Sequence, residues 1–209
     1  LAVANYREAN GHFPPAWVMG PDGKPWHSWR VLILPYLDEA LSEQYRLDEP
    51  WDGPNNRKLW DKMPKTFKTT HRQEANHRFT TYLAITGDAA VWAGAEKRLE
   101  QDITDWDSET LLLVENDQQG VIWTEPRDLP IEQFDGEIDS PNGICGPYER
   151  PAAAFVDGLV VSFDPKTPAK VLRAMATRAG GERLDQDNQG LWRIIEDGRK
   201  RLLRKLPKE

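Results

Sequence analysis

The sequence predicts an α+β domain in which short helices come first, a mainly antiparallel sheet follows and one helix closes the sheet. Three observations carry this. Apolar residues recur at helical spacing in short segments up to Lys62, then give way from Phe79 to apolar, β-branched runs typical of strands. Asp157-Gly158 stands between two such runs, which is a strong hairpin signal. The 16 Pro and 15 Gly in 209 residues imply many turns and short elements.

The first helix spans Leu1 to Asn10, with Val3 and Tyr6 on one face beside Leu1, Ala2 and Ala9, a stripe suited to packing on a sheet. Gly11-His-Phe-Pro-Pro15 ends it, because each residue before a proline is pushed out of the helical region. No Ser, Thr, Asp or Asn precedes the helix, and an apolar residue already in mid-pattern opens it, so more helix is expected upstream. Pro21-Asp-Gly-Lys24 is a turn. Ser28 caps the apolar segment Trp29–Leu37, Pro35 breaks it, and helix resumes from Asp38 to Tyr45. Trp51-Asp-Gly-Pro54 is a further turn, followed by a short helix from Asn55 to Lys62.

Strands are expected over Phe79–Thr86, Thr110–Glu115, Val121–Thr124 and, as a hairpin, Ala153–Phe163. Thr167 and Pro168 start the closing helix, which runs through Met175 and ends by Gly180-Gly181. Residues 1–182 form the expected globular domain and residues 183–209 a basic helical extension. In that extension Leu191, Trp192, Ile194 and Ile195 form a short amphipathic segment, and Gly198 to Glu209 holds six basic residues against one acidic. Such a basic tail folds back on an acidic body or stays solvated more often than it docks elsewhere.

A net charge of −7 argues against a nucleic-acid binder, which needs a surplus of Lys and Arg on one face, and favours protein, sugar or a cation as partners. Cys145 is the single cysteine, so neither an intramolecular disulfide nor a cysteine-built zinc site can form. No stretch of 18 apolar residues spans a membrane within the sequence.

Several segments together resemble one family. Asn5-Tyr6 with Gly-His-Phe-Pro-Pro, including Phe13 and Pro14, is followed by His27-Ser-Trp-Arg-Val-Leu-Ile-Leu-Pro-Tyr-Leu37, with Trp29 and Pro35, and by Glu49-Pro-Trp-Asp52 with Asn55 and Asn56. Further segments are Thr81-Tyr-Leu-Ala84, Asp102-Ile-Thr-Asp105, Trp123-Thr-Glu-Pro126, Phe155-Val-Asp-Gly158 and Thr177-Arg-Ala-Gly-Gly181. As a set, over about residues 1–182, they resemble the planctomycete pseudopilin-like proteins, a group catalogued as a domain of unknown function and also labelled solute-binding. The family signature falls here on Asn5, Tyr6, Phe13, Pro14, Trp29, Pro35, Trp123, Glu125, Asp157 and Gly158. The resemblance implies a pilin-like α+β fold with the N-terminal helix laid on an antiparallel sheet, and a prepilin-type membrane helix upstream of Leu1. It also implies a place in the cell envelope, on its periplasmic or outer face, among the protein subunits of a pilus-like or type II secretion assembly. The family's usual histidine, ten positions before the Asp of the late Asp-Gly, is here Pro147.

The acidic residues Asp102, Asp105, Asp107 and Glu115, with Glu109 and Asp117 nearby, could bind calcium, because hard cations take several carboxylate oxygens. They lack the EF-hand spacing and its glycine, and a structural turn is the favoured reading. No cofactor other than calcium is suggested. His12, His27, His71 and His77 have no metal-ligand spacing, and no nucleophile motif accompanies them. Cys145 lies away from any base and reads as inert. Nine tryptophans are many for this length: Trp51 beside Asp52 and Asn55, and Trp123 beside Glu125, are candidate sites for a glycan or solute, against a core role that Trp fills more often. The expected function is a non-enzymatic pseudopilin-like subunit, with an envelope-anchored solute- or glycan-binding protein as the alternative.

Overall fold

The computed structural model describes residues 1–68, 78–188 and 190–195. Helix α1 (Ala2–Asn10) has no side-chain cap at Leu1 and stops at Gly11, whose φ of 75° lets its N–H reach back to the Arg7 carbonyl. It rests on the Leu34–Tyr36 turn, where Tyr6 meets Tyr36 edge-on at 6.3 Å. The prolines after Phe13 lead into β1 (Trp17–Met19), antiparallel to β2 (Pro25–Ser28) across the expected turn. Ser28 Oγ accepts from the Arg30 N–H and caps α2 (Trp29–Leu32) as expected. Pro35 confines the next residues to a 3-10 turn, and Asp38 then caps α3 (Glu39–Gln44) through the Leu41 N–H. The helix expected from Asn55 to Lys62 is a 3-10 helix over Asn56–Lys62.

Phe79–Thr86 does not form the single strand its composition suggests. The Thr80 hydroxyl and the Thr81 N–H both donate to the Phe67 carbonyl and bend the chain there. The run divides into β3 (Phe79–Thr80), β4 (Tyr82–Leu83) and β5 (Ile85–Thr86). Each takes a different partner: β6 (Leu111–Glu115) pairs with β4, β7 (Val121–Ile122) with β3, and β8 (Leu129–Pro130) runs parallel to β5. The hairpin turning at Asp157-Gly158 consists of β9 (Ala152–Phe155) and β10 (Val160–Ser162), and the largest sheet has the antiparallel order β10-β9-β6-β4.

Strand β6 is buried on both faces, which is why it reads Leu-Leu-Leu-Val without alternation. Leu112 joins a first core with Phe13, Trp29, Trp92, Trp123 and the α1 residues Ala2 and Val3. Leu111 and Val114 join a second core with Phe155, Phe163 and helix α4 (Ala169–Met175). The structure corrects the helical reading of the C-terminal extension. Leu184–Gln186 (β11) and Trp192–Ile194 (β12) pair as an antiparallel hairpin. Trp192 and Ile194, two residues apart, both lie against the second core, a period that suits a strand and not a helix. The basic segment from Arg199 to Leu206 lies outside the described residues.

The two edges of the four-stranded sheet differ. On β4, Thr81 and Leu83 face β6, so the backbone groups of Tyr82 and Ala84 point outward. The Tyr82 carbonyl accepts from Arg30 Nη2 at 2.9 Å and the Ala84 N–H donates to Asp128 Oδ1 at 2.8 Å. Arg30 and Asp128 are themselves an ion pair at 2.5 Å with both side chains fully buried. Arg30→Met alone should lower the unfolding free energy by about 3–5 kcal/mol, because Asp128 is left charged and unpaired. The double variant Arg30→Met/Asp128→Leu should recover part of that loss; urea unfolding of the two variants beside the parent checks it.

Candidate functional site

The segment from Arg46 to Trp60 is knit together by two side chains. The buried Asn56 amide donates to the carbonyls of Arg46, Glu49 and Pro50 and accepts from the Arg46 N–H. The Glu49 carboxylate accepts from the Asn55 and Asn56 N–H groups at 2.8 and 2.7 Å and from Asn55 Nδ2 at 3.1 Å. Desolvation pushes the Glu49 carboxyl up, but the donors from Asn56 and Asn55, with Arg46 nearby, outweigh it and hold the group below its ordinary value. The Trp51 N–H donates to the Trp26 carbonyl and ties this loop to β2.

The loop displays a half-buried aromatic surface. Trp51 stacks on Trp60 at 5.5 Å and 26°, and the Arg57 guanidinium lies 5.6 Å from the Trp60 ring. Arg57 also pairs with Asp52, at 3.5 Å to its carboxylate and through Nε to its carbonyl. Trp26 is half-buried, its indole N–H held by Asp22, while Leu47 is 62% and Met19 45% exposed. Two stacked, partly exposed indoles with the Arg57 guanidinium and the Asp52 carboxylate beside them can pack on an apolar ring face while bonding to its polar rim.

The sequence-selected residues divide. Trp51, Asp52 and Asn55 come together here, although Asn55 is engaged with Glu49 and accepts from Lys58 Nζ. Trp123 is a core residue, fully buried, stacked on Phe67 at 6.1 Å, with its indole N–H on the Trp60 carbonyl; it offers no ring to a ligand. Glu125 is paired with Arg127 at 2.6 Å and accepts the Ile122 N–H at the turn after β7.

The acidic candidates are dispersed in separate turns and clamps. Asp102 accepts the Leu99 N–H, Asp105 accepts the N–H groups of Gly180 and Gly181, and the Asp107 carbonyl receives the Asp157 N–H. Glu115 is buried and accepts the Ala152 N–H, and burial first, then Asp117, raises its pKa. Gly146, next to Pro147, lies directly on this carboxyl: a Cβ there would sit 2.5 Å from the carboxyl carbon. Among the described residues no group of three or more His, Cys, Asp or Glu is placed to hold a metal ion.

His27 is buried, with Nδ1 3.0 Å from the Tyr45 hydroxyl and Nε2 3.2 Å from the Leu47 carbonyl. Burial lowers its pKa, so the neutral ring donates from Nε2 and accepts at Nδ1. His12 contacts the Phe13 carbonyl, while His71 and His77 lie outside the described residues. Burial pushes the Cys145 thiol up to about 11. Arg30 and Asp128 escaped sequence reasoning. The signal was a charged residue inside the apolar run Trp29–Leu34, which only a buried partner could satisfy.

Residues 1–82, from α1 to the first residue of β4, match the family model SBP_bac_10, described as a protein of unknown function (DUF1559). No curated protein and no solved structure matches the chain.

Two measurements check this site. The unfolded chain protonates His27 near its ordinary value of 6.5, before the folded one does. Stability present above that pH is therefore lost as pH falls through the lowered folded value, and His27→Gln should flatten this part of the pH profile of urea unfolding. Trp123→Ala should lower stability by about 3–5 kcal/mol, whereas Trp51→Ala, at a half-exposed site, should shift the melting temperature by only a few degrees; calorimetry on both separates them.

Proposed function

We propose that this chain is the globular part of a non-enzymatic, pseudopilin-like subunit of a type II secretion or type IV pilus-like envelope assembly, held to the membrane through a helix continuing α1. The observation that carries the reading is the seat of α1. Ala2 and Val3 are buried in the first core and Tyr6 packs on Tyr36. Arg7 braces the same helix, 3.8 Å from Glu100 and over the Phe13 ring. A helix fixed along one side by apolar and ring contacts can transmit load to the domain without further linkers. The resemblance of the segments around Asn5-Tyr6, Phe13-Pro14 and Trp29–Leu37 to pseudopilin-like proteins supports the same assignment.

A second reading is favoured by the Trp51–Trp60 surface: an envelope protein that holds a solute or glycan there, in keeping with the solute-binding label of the matching family model.

Mass spectrometry of the native N-terminus, from cells separated into membrane and soluble pools, tests the first reading. A processed, N-methylated residue ahead of an apolar helix in the membrane pool is expected, and an unprocessed protein in the soluble pool overturns it. For the second, retention on insoluble glycans should fall about tenfold or more in Trp51→Ala with the melting temperature nearly kept. Equal retention by parent and variant removes the surface from consideration.

A further inference from the structure

The edge of the sheet opposite β4 is built differently. In the β9–β10 ladder Val161 faces Ala153, the Phe155 N–H donates to the Leu159 carbonyl, and the Phe163 N–H to the Pro151 carbonyl. Residues 159, 161 and 163 therefore turn their backbone groups to β9. The N–H and C=O groups of Val160 and Ser162 point away from the sheet, because pairing alternates along an antiparallel strand. Among the described residues no strand pairs with this outer edge. The edge sequence Leu159-Val-Val-Ser-Phe163 has no charge and no proline, and its pairing with β9 runs without a register shift. These are the devices by which proteins ordinarily close an edge to other chains. Val160 is 65% and Leu159 52% exposed.

We propose that the outer edge of β10 pairs with β10 of a second copy of this chain, antiparallel, with Val161 opposite Val161 of the copy. This register is self-complementary. It sets the outward groups of Val160 opposite those of Ser162 in the copy, and the reverse, so the same pair of residues supplies both sides of a two-fold contact. It also brings the Asp157 turn of one copy beside the turn after Phe163 in the other, which carries Lys166 and the Arg150–Asp164 pair. The two Asp157 residues stay at opposite ends. The two four-stranded sheets then run on as one, and the contact does not depend on the chain being an envelope subunit.

Sedimentation of the full chain over a range of concentrations, with hydrogen exchange of the Val160 and Ser162 amides at both ends of that range, tests this. Expected are a monomer–dimer equilibrium, and amides that exchange freely in dilute solution and are protected when concentrated. Val160→Lys, at an exposed position, should raise the dissociation constant at least about tenfold with the melting temperature kept. Amides free at both concentrations overturn the proposal. So do amides protected at both, which would mean that another part of the same chain covers the edge, and so does a dimer that Val160→Lys leaves intact.

Discussion

The buried pair of Arg30 and Asp128 is the constraint on which the rest of the arrangement depends. Removing both charges from water is costly, and the attraction between them offsets it only when the remaining donors and acceptors are also satisfied. Here they nearly are. Arg30 donates to Ser28 Oγ and the Tyr82 carbonyl as well as to Asp128, and Asp128 receives the Trp29 indole and the Ala84 N–H. The Arg30 Nε–H finds no hydrogen-bond partner among the described residues, and the guanidinium lies 4.6 Å from the Trp29 ring centroid. Burial presses the Asp128 pKa up and the Arg30 pKa down, and each charge resists the other's loss. The pair thus does for β4 what a fifth strand would do, and it joins α2, the sheet edge and the chain before β8 in a single contact.

From this pair an aromatic series leads outward. Trp29 meets Trp92 at 5.0 Å and Phe67 at 6.0 Å, Phe67 stacks on Trp123, Trp123 bonds to the Trp60 backbone, and Trp60 stacks on Trp51 at the surface. The outermost member is therefore held by the core and needs no loop order of its own. Glu49 and Asn56 fix the remainder of that loop from within by bonding to its backbone, which leaves the stacked Trp51 and Trp60 rings half-exposed at its surface. A surface so held is pre-organised, whether it meets a neighbouring subunit or a small solute.

Local signals made much of this legible. Ser28 as a cap, Pro35 as a break, Asp157-Gly158 as a hairpin and the helix ahead of Met175 all followed from chemistry confined to a few neighbouring residues. What failed depended on distant partners. The division of Phe79–Thr86 among three strands is decided by Phe67, and the strand nature of Trp192–Ile194 by Leu184 and the second core. The clustering of Trp51, Asp52 and Asn55 was readable because it is local. Whether Trp123 was core or platform turned on Trp60 and Phe67, more than fifty residues away in sequence, and the Arg30–Asp128 pair spans almost a hundred.

The two sheet edges are finished by opposite means. At β4 a buried ion pair, itself expensive, closes an edge that a plain apolar loop or a charged surface strand could have closed at less cost. At β10 not even a lysine guards the outward groups of the exposed Val160 and Ser162, although an uncharged, β-branched run without proline is the composition most open to strand addition. A chain able to build the first device had simple means to blunt the second edge. Among the described residues no strand covers this second edge, and its three residues leave backbone groups for one matched partner, which is what the proposed pairing would take up.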